Sequence, residues 1–232
     1  MIKICAISDL HGYLPKIEPV DILLIAGDIS PLDIQFNKEM MKKWLNDTFA
    51  NWIKELPLDK VYLVAGNHDV YFEGLSQIQL DEFRTKCNFK LVYLENNHVI
   101  HKHEDKEYKI FGTPYCHIFG NWPFMRSEEY MVEKFKQIPD EVDIIISHDP
   151  PFATGDVDVI LEASQHMFQR MPKHLGNEPL QARIKNVNYK LLVCGHIHSG
   201  SHDFNPETKC VNVSIKNERY LAVYDPFYYE LD

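Results

Sequence analysis

Five apolar runs in this chain stop in the same way, and that repetition constrains the fold more than any other feature. IKICAISD (2–9), DILLIAGD (21–28), KVYLVAGNHD (60–69), EVDIIISHDPP (141–151) and YKLLVCGHIH (189–198) each pass from near-continuous apolar residues into Asp, Asn or His. A continuous apolar run, as opposed to an alternating one, predicts a strand buried on both faces, as in helix-covered sheets. In open α/β sheets the ligand site lies beyond the carboxyl ends of the strands. The residues closing the runs are therefore expected at one rim: Asp9 and His11, Asp28, Asn67 with His68 and Asp69, His148, and His196 with His198. Two positions apart on extended chain, His196 and His198 point to the same side. The glycines before Asp28, Asn67 and His196 suit a close backbone turn there.

Other segments fill in the frame. In residues 37–57, Met41, Trp44, Leu45, Phe49, Trp52, Ile53 and Leu56 recur at three- and four-residue steps, with Asn37 able to cap the start and Pro57 closing the end. That stripe is a helix packing on a core, not a cofactor box. A second helix is expected over 73–86. Residues 89–115 predict antiparallel strands joined by polar turns. A long loop with a helix is expected over 152–188, and strands at 210–215 and 220–225 finish the chain. The sum is an α/β fold with two packed sheets and helices outside. No repeat or linker marks a boundary, so residues 1–232 are expected to form a single domain.

A formal net charge of -10 disfavours nucleic acid as the main partner, because a duplex binder shows a basic face. No basic stretch stands out to track a phosphate backbone, which also disfavours a nuclease. Five cysteines without CxxC spacing favour reduced thiols and a cytoplasmic location. The first residues are interrupted by Asp9 too soon for a secretory signal, and no apolar run reaches the length of a membrane span.

The residue types at the rim suit one kind of chemistry. Hydrolysing a phosphate ester requires a nucleophile at neutral pH and relief of charge on the phosphoryl oxygens, and two divalent cations supply both. Such a pair needs a shared carboxylate, neutral imidazoles and one or two further oxygen donors. Mixed nitrogen and oxygen donors suit manganese, iron, zinc or cobalt better than calcium or magnesium.

The ordered motifs DLH, GD, GNHD, SH and GHIH resemble those of the calcineurin-like metallophosphoesterase superfamily, and they span nearly the whole chain. The resemblance implies a four-layer α/β/β/α sandwich with two mixed sheets flanked by helices. It implies that Asp9, His11, Asp28 and His198 bind one metal and that Asp28, Asn67, His148 and His196 bind the other, with Asp28 bridging. It makes His68 the catalytic histidine, oriented by Asp69. The expected activity is attack of a metal-bridging hydroxide on a small phosphodiester, cyclic nucleotides among the candidates, with His68 assisting the leaving oxygen. A phosphomonoesterase and a non-catalytic binding or scaffold protein of the same fold are the alternatives. The expected partner is thus a small phosphoester, with no membrane.

GTPYCHIFGNWPFM (112–125), SHDPPFATGD (147–156), NEPLQARI (177–184) and TKCVNVS (208–214) are further similar to the small metallophosphoesterase-domain-containing phosphodiesterases. The chain departs from them at Asp149, where that group usually has glycine, and this bears on pocket shape. It also departs from Ser/Thr phosphoprotein phosphatases, which carry a second aspartate and an arginine after the Gly-Asp that matches Gly27-Asp28. Tyr115, His117 and Trp122 are placed to line a pocket or to pack its rim. His98, His101 and His103 read as a solvated hairpin, and Asn212 and Ser214 as fold elements.

Overall fold

The computed structural model describes residues 1–163 and 170–232. Strands β1 (Ile2–Ile7), β2 (Ile22–Ala26), β3 (Lys60–Val64) and β4 (Leu91–Tyr93) run parallel, and β12 (Phe227–Leu231) joins β1 antiparallel, giving the order β12-β1-β2-β3-β4. The second sheet comprises β5 (Asn97–His103), β6 (Lys106–Thr113), β7 (Ile144–Ser147), β10 (Leu191–Cys194) and β11 (Cys210–Asn212), in the order β11-β10-β7-β6-β5. Only β5 in it runs antiparallel to its neighbour. Both sheets are mixed, as expected.

Alternation along each strand builds the layers. Ile4 and Ala6 of β1, Leu24 and Ala26 of β2, Ile144 and Ile146 of β7 and Val193 of β10 share one core cluster that holds no helix residue. This cluster fills the space between the sheets. Their neighbours Cys5, Ile7, Leu23, Ile25, Ile145 and Leu192 face outward to the helices.

Helix α1 (Lys38–Trp44), a π-helical turn (Leu45–Phe49) and α2 (Ala50–Glu55) follow one another without a break. Asn37 caps the start by accepting from the Met40 N–H. Met41, Leu45, Phe49 and Ile53 are all buried, at steps of four. A four-residue step overshoots the 3.6-residue turn, so the stripe would drift around a regular helix. The wider i→i+5 turn in the middle absorbs that drift and keeps the stripe on the sheet. Helix α3 (Gln77–Lys86) starts at a Ser76–Gln79 capping box, four residues inside the expected 73–86 segment. Helices α4 (Glu128–Phe135) and α5 (Glu178–Ile184) cover the second sheet through Met131, Phe135, Leu180 and Ile184.

Two expectations are corrected. Residues 220–225 are not a strand: Ala222 makes only an isolated bridge to Lys216, and the last strand begins beyond Pro226. Their backbone bonds close a turn on residues 215–217 instead of a ladder: the Tyr220 N–H donates to Asn217 O, and the N–H groups of Val223 and Tyr224 both donate to Ile215 O. The long loop expected over 152–188 contains a β-hairpin, β8 (Val159–Ala163) with β9 (Arg170–His174); residues 164–169 lie outside the described residues.

Candidate metal centre

Strand register brings the run ends together. Ile7 pairs with Ile25 and Ala26 with Val64, so the turns carrying Asp9, Asp28 and Asn67 lie side by side. Val193 pairs with Ile146, which sets His148 beside Gly195 and His196. The sheets meet at this rim: the Ser8 N–H donates to Val213 O at 2.8 Å, and His148 Nδ1 donates to Ala26 O at 2.7 Å.

The chain turns sharply to achieve this. Asp9, His11, Asp28 and His196 all have positive φ, at 55°, 41°, 54° and 66°. Left-handed backbone at non-glycine residues is uncommon and clusters at functional sites. Gly27 also needs it, with φ at 98°, and a Cβ there would strike His148 Nδ1. Gly66 and Gly195 are needed for space, since a Cβ would collide with the carboxylates of Asp28 and Asp9 respectively.

Asp9 is held by two donors and faces an imidazole nitrogen. Its Oδ2 accepts from Ser214 Oγ at 2.7 Å and from the His196 N–H at 3.0 Å, and its Oδ1 lies 3.2 Å from His198 Nε2. Asp28 Oδ1 accepts from the His68 N–H at 2.7 Å. Its Oδ2 lies 3.6 Å from His148 Nε2 and 3.9 Å from His11 Nε2. Asp9, His11 and His198 form one buried group able to hold a metal ion, and Asp9, Asp28 and His148 form another. Asp9 is thus common to both groups, whereas the resemblance assigned it to one. Asn67 and His196 flank the second group: Asn67 Oδ1 is 3.0 Å from His148 Nε2, and the His196 and His148 rings lie 5.1 Å apart. All seven expected ligands therefore gather at the rim.

The donor set fits divalent cations. Both ring nitrogens of His11 are buried without a hydrogen-bond partner. Buried polar atoms are rarely left so. His148 and His198 each donate Nδ1–H to a backbone carbonyl, of Ala26 and of Asn217 at 2.9 Å, which leaves Nε2 with a lone pair facing the carboxylates. His148 Nε2 then faces Asn67 Oδ1, two acceptors that a cation between them would reconcile.

Electrostatics point the same way. Burial and the charges of Asp69 and Asp9 hold the Asp28 carboxyl well above the usual range. For Asp9 burial pushes upward, but His198, His148 and His11 override it and hold the group well below that range. Burial lowers His11 and His196 to about 3, while Asp9 overrides burial at His198 and raises it to about 9. Three fully buried carboxylates, Asp9, Asp28 and Asp69, crowd one point without a lysine or arginine bonded to any of them among the described residues.

A cavity of about 250 Å³ opens above the cluster, with Asp28, Asn67 and His196 in its floor and Phe119, Trp122 and Tyr220 on its walls. His68 stands in it, its ring 4.6 Å from Trp122 and 5.0 Å from His11. The expected Asp69–His68 contact is not made. Asp69 is fully buried and accepts from the N–H groups of Asp28 and Gly66 and from both N and Oγ of Ser30. It locks the turns that carry Asp28 and Asn67, and its lone pairs are committed there. His68 Nδ1 is held instead by Gln35 Oε1 at 2.8 Å. Gln35 has no signal in the sequence, since it sits in a turn 33 positions away. Ser214, expected as a fold element, also positions Asp9, and Asn217 holds His198. Of the residues placed as lining or packing, Trp122 lines the cavity and Tyr115 is buried against Tyr130.

The second histidine cluster does form a hairpin, β5–β6. It is not wholly solvated: His101 is buried, with Nδ1 2.8 Å from the Tyr62 hydroxyl. Among the described residues it contributes to no group able to hold a metal.

Buried aspartates and imidazoles at the carboxyl ends of strands, within a helix-flanked pair of mixed sheets, define a metal-dependent hydrolase. A family model described as calcineurin-like phosphoesterase matches residues 2–200, and the chain belongs to that family of phosphoester hydrolases. It is 26% identical over 255 residues to human metallophosphoesterase domain-containing protein 1, covering 99% of this chain and 71% of that protein. It is 27% identical over 249 residues to a UPF0046 protein of Caenorhabditis elegans, covering 99% of this chain and 81% of that one. It also matches a probable rhamnogalacturonate lyase C of Emericella nidulans at 26% identity over 229 residues, but spans only 19% of that protein's length. A solved crystal structure superposes with a TM-score of 0.63 at 16% identity, covering 94% of this chain and 91% of that one, a likeness of fold. No helix among the described residues is long and apolar enough to cross a membrane.

Proposed function

We propose that the chain is a dinuclear phosphodiesterase acting on small diesters. The observation that carries this reading is the position of Asp28 Oδ2, between His148 Nε2 at 3.6 Å and His11 Nε2 at 3.9 Å. One carboxylate oxygen thus faces an imidazole of each proposed ligand set. Asp9, His11, Asp28 and His198 would hold one ion and Asp28, Asn67, His148 and His196 the other. Manganese, iron or zinc suits these mixed donors. When bound, such ions screen charge on the phosphoryl oxygens and make a nucleophile available from water at neutral pH.

The chain's own residues do the rest. Asp9 is fixed by Ser214, and Asp69 fixes the two turns, so the donors are held in place before substrate arrives. His68, with Nδ1 tied to Gln35, keeps Nε2 for the proton that the leaving oxygen requires. Burial lowers His68 to about 4 in the metal-free protein, and an anionic substrate beside it opposes that shift.

Preference for a diester is supported by the cavity walls. Among the described residues the lining includes Phe119, Trp122 and Tyr220 but no lysine or arginine, so a monoester dianion would lack a side-chain clamp for its extra charge. The aromatic faces suit a planar arm such as a nucleobase, which keeps cyclic nucleotides among the candidates. The test is turnover by the manganese-reconstituted protein on cyclic nucleotides, mononucleotides, phosphopeptides and bis-nitrophenyl phosphate, with metal content measured by elemental analysis. Two ions per chain and faster turnover of diesters are expected. One ion per chain, or faster turnover of monoesters, overturns the proposal.

A further inference from the structure

Asp149 follows His148 directly, and its carboxylate is not turned toward the metal cluster. It is fully buried, and Oδ2 takes three donors: the His117 N–H at 3.0 Å, His117 Nδ1 at 2.9 Å and Asn177 Nδ2 at 3.1 Å. Its Oδ1 has no partner. A carboxylate satisfied on one oxygen only is a costly way to anchor a loop, because the other oxygen remains desolvated and unpaired. The arrangement does one thing well: it fixes the plane and the tautomer of the His117 ring. Nδ1–H points to Asp149, and Nε2 is the nitrogen left for something else.

The ring itself is not put away. The His117 side chain keeps 29% of its surface exposed, whereas its holder keeps none. It lies 6.2 Å from the His196 ring and 5.6 Å from Phe119, and both of these residues line the cavity. His68 stands in the same cavity but against other walls, beside His11, Trp122 and Tyr220. His117 is thus one ring further out than the proposed ligands, on the His196 side. With a phosphoryl group seated over the carboxylates, an arm leaving it along the His196–Phe119 side would pass this ring.

We infer that His117, oriented by Asp149, is a specificity-determining residue whose Nε2 hydrogen-bonds the retained arm of a phosphodiester, beyond the phosphoryl group. This rests on the phosphodiesterase reading above. Asp149 is a positioning residue in this scheme. It acts only through His117. A contact to the retained arm is made equally in the ground state and the transition state, so its loss appears in KM and not in kcat. One hydrogen bond to substrate corresponds to about tenfold.

The experiment compares two diesters with the same nitrophenolate leaving group and different retained arms: thymidine 5′-(4-nitrophenyl phosphate), whose arm carries hydrogen-bonding groups, and methyl 4-nitrophenyl phosphate, whose arm carries none. Wild type, His117→Ala and His117→Gln are assayed with manganese, and metal content is measured in each. The expected result is a fall of about tenfold in the thymidine-over-methyl ratio of kcat/KM in His117→Ala, carried by KM. His117→Gln, which keeps a hydrogen-bonding side chain, should restore part of it, and both variants should hold metal as wild type does. An unchanged ratio, a change carried by kcat, or loss of metal in both variants overturns the inference while leaving the phosphodiesterase reading intact. Failure of wild type to turn over either diester overturns both.

Discussion

The molecule has two dense histidine clusters, and only one of them is a candidate site. At the rim, His11, His148, His196 and His198 come from three different loops and meet three buried aspartates. On the β5–β6 hairpin, His98, His101 and His103 come from a single strand. The hairpin histidines follow the pleat: His101 and His103, two apart, share one face, and His98, three before His101, points to the other, so they do not converge. His101 finds a hydroxyl and His103 comes within 3.7 Å of Asp21, each a separate local solution. The rim histidines instead leave nitrogens facing carboxylates, and His11 keeps two nitrogens with no hydrogen bond. Histidine density therefore says little; convergence of strand ends on buried carboxylates says much.

The sharpest way to break this contrast is to remove the carboxylate facing both halves of the rim. Asp28→Ala should lower kcat/KM by ~10³-fold or more, since it deletes charge complementarity worth several kcal/mol. His11→Ala should cost less, because His11 serves one half only. Turnover and metal content measured on the two variants would decide; equal losses with metal retained in Asp28→Ala would remove Asp28 from the bridging role.

His68→Asn should come next. Loss of a positioned general acid should slow alkyl diesters by ~10²-fold and nitrophenyl diesters less, because nitrophenolate departs without a proton. Metal content should not change. Gln35→Leu should reproduce part of the loss, since Gln35 and not Asp69 holds the imidazole. Matching ratios on the two ester types would assign His68 to charge stabilisation instead.

A smaller effect is expected from Ser214→Ala. It removes the 2.7 Å donor to Asp9 Oδ2 and should weaken manganese binding about tenfold, as loss of a hydrogen bond behind a ligand does. Titration of activity with manganese should show a shifted midpoint and recovery at high metal. Unchanged affinity would make Ser214 a fold element only.

The smallest change belongs to the other cluster. His101→Phe should leave metal content and turnover as they are, and cost about 1 kcal/mol of stability by leaving the Tyr62 hydroxyl unpaired. For a chain of this size that is about 2–4 °C in Tm. Loss of metal in this variant would erase the distinction between the two clusters.

Most of the framework was legible in the sequence because it is written locally. Each buried strand is a continuous apolar run, and each run ends in its own polar residues, so the sheets and the seven rim residues could be read without knowing their neighbours. The long helix showed in its apolar spacing and its Asn37 cap, though not its π-helical turn, which answers to the sheet it packs on. Tertiary structure alone decided which partner each polar group takes. His68 binds Gln35 from 33 positions away and not the adjacent Asp69, because Asp69 is consumed by four donors on the turns around it. Ser214 reaches Asp9 across 205 positions, and His117 reaches Asp149 across 32. Residues 220–225 have strand-like composition, yet they close a turn on residues 215–217 and leave pairing with β1 to Phe227–Leu231. Burial pattern is a property of a segment and is visible in it. A hydrogen bond between distant segments depends on where the whole chain places both ends, and no local pattern carries that.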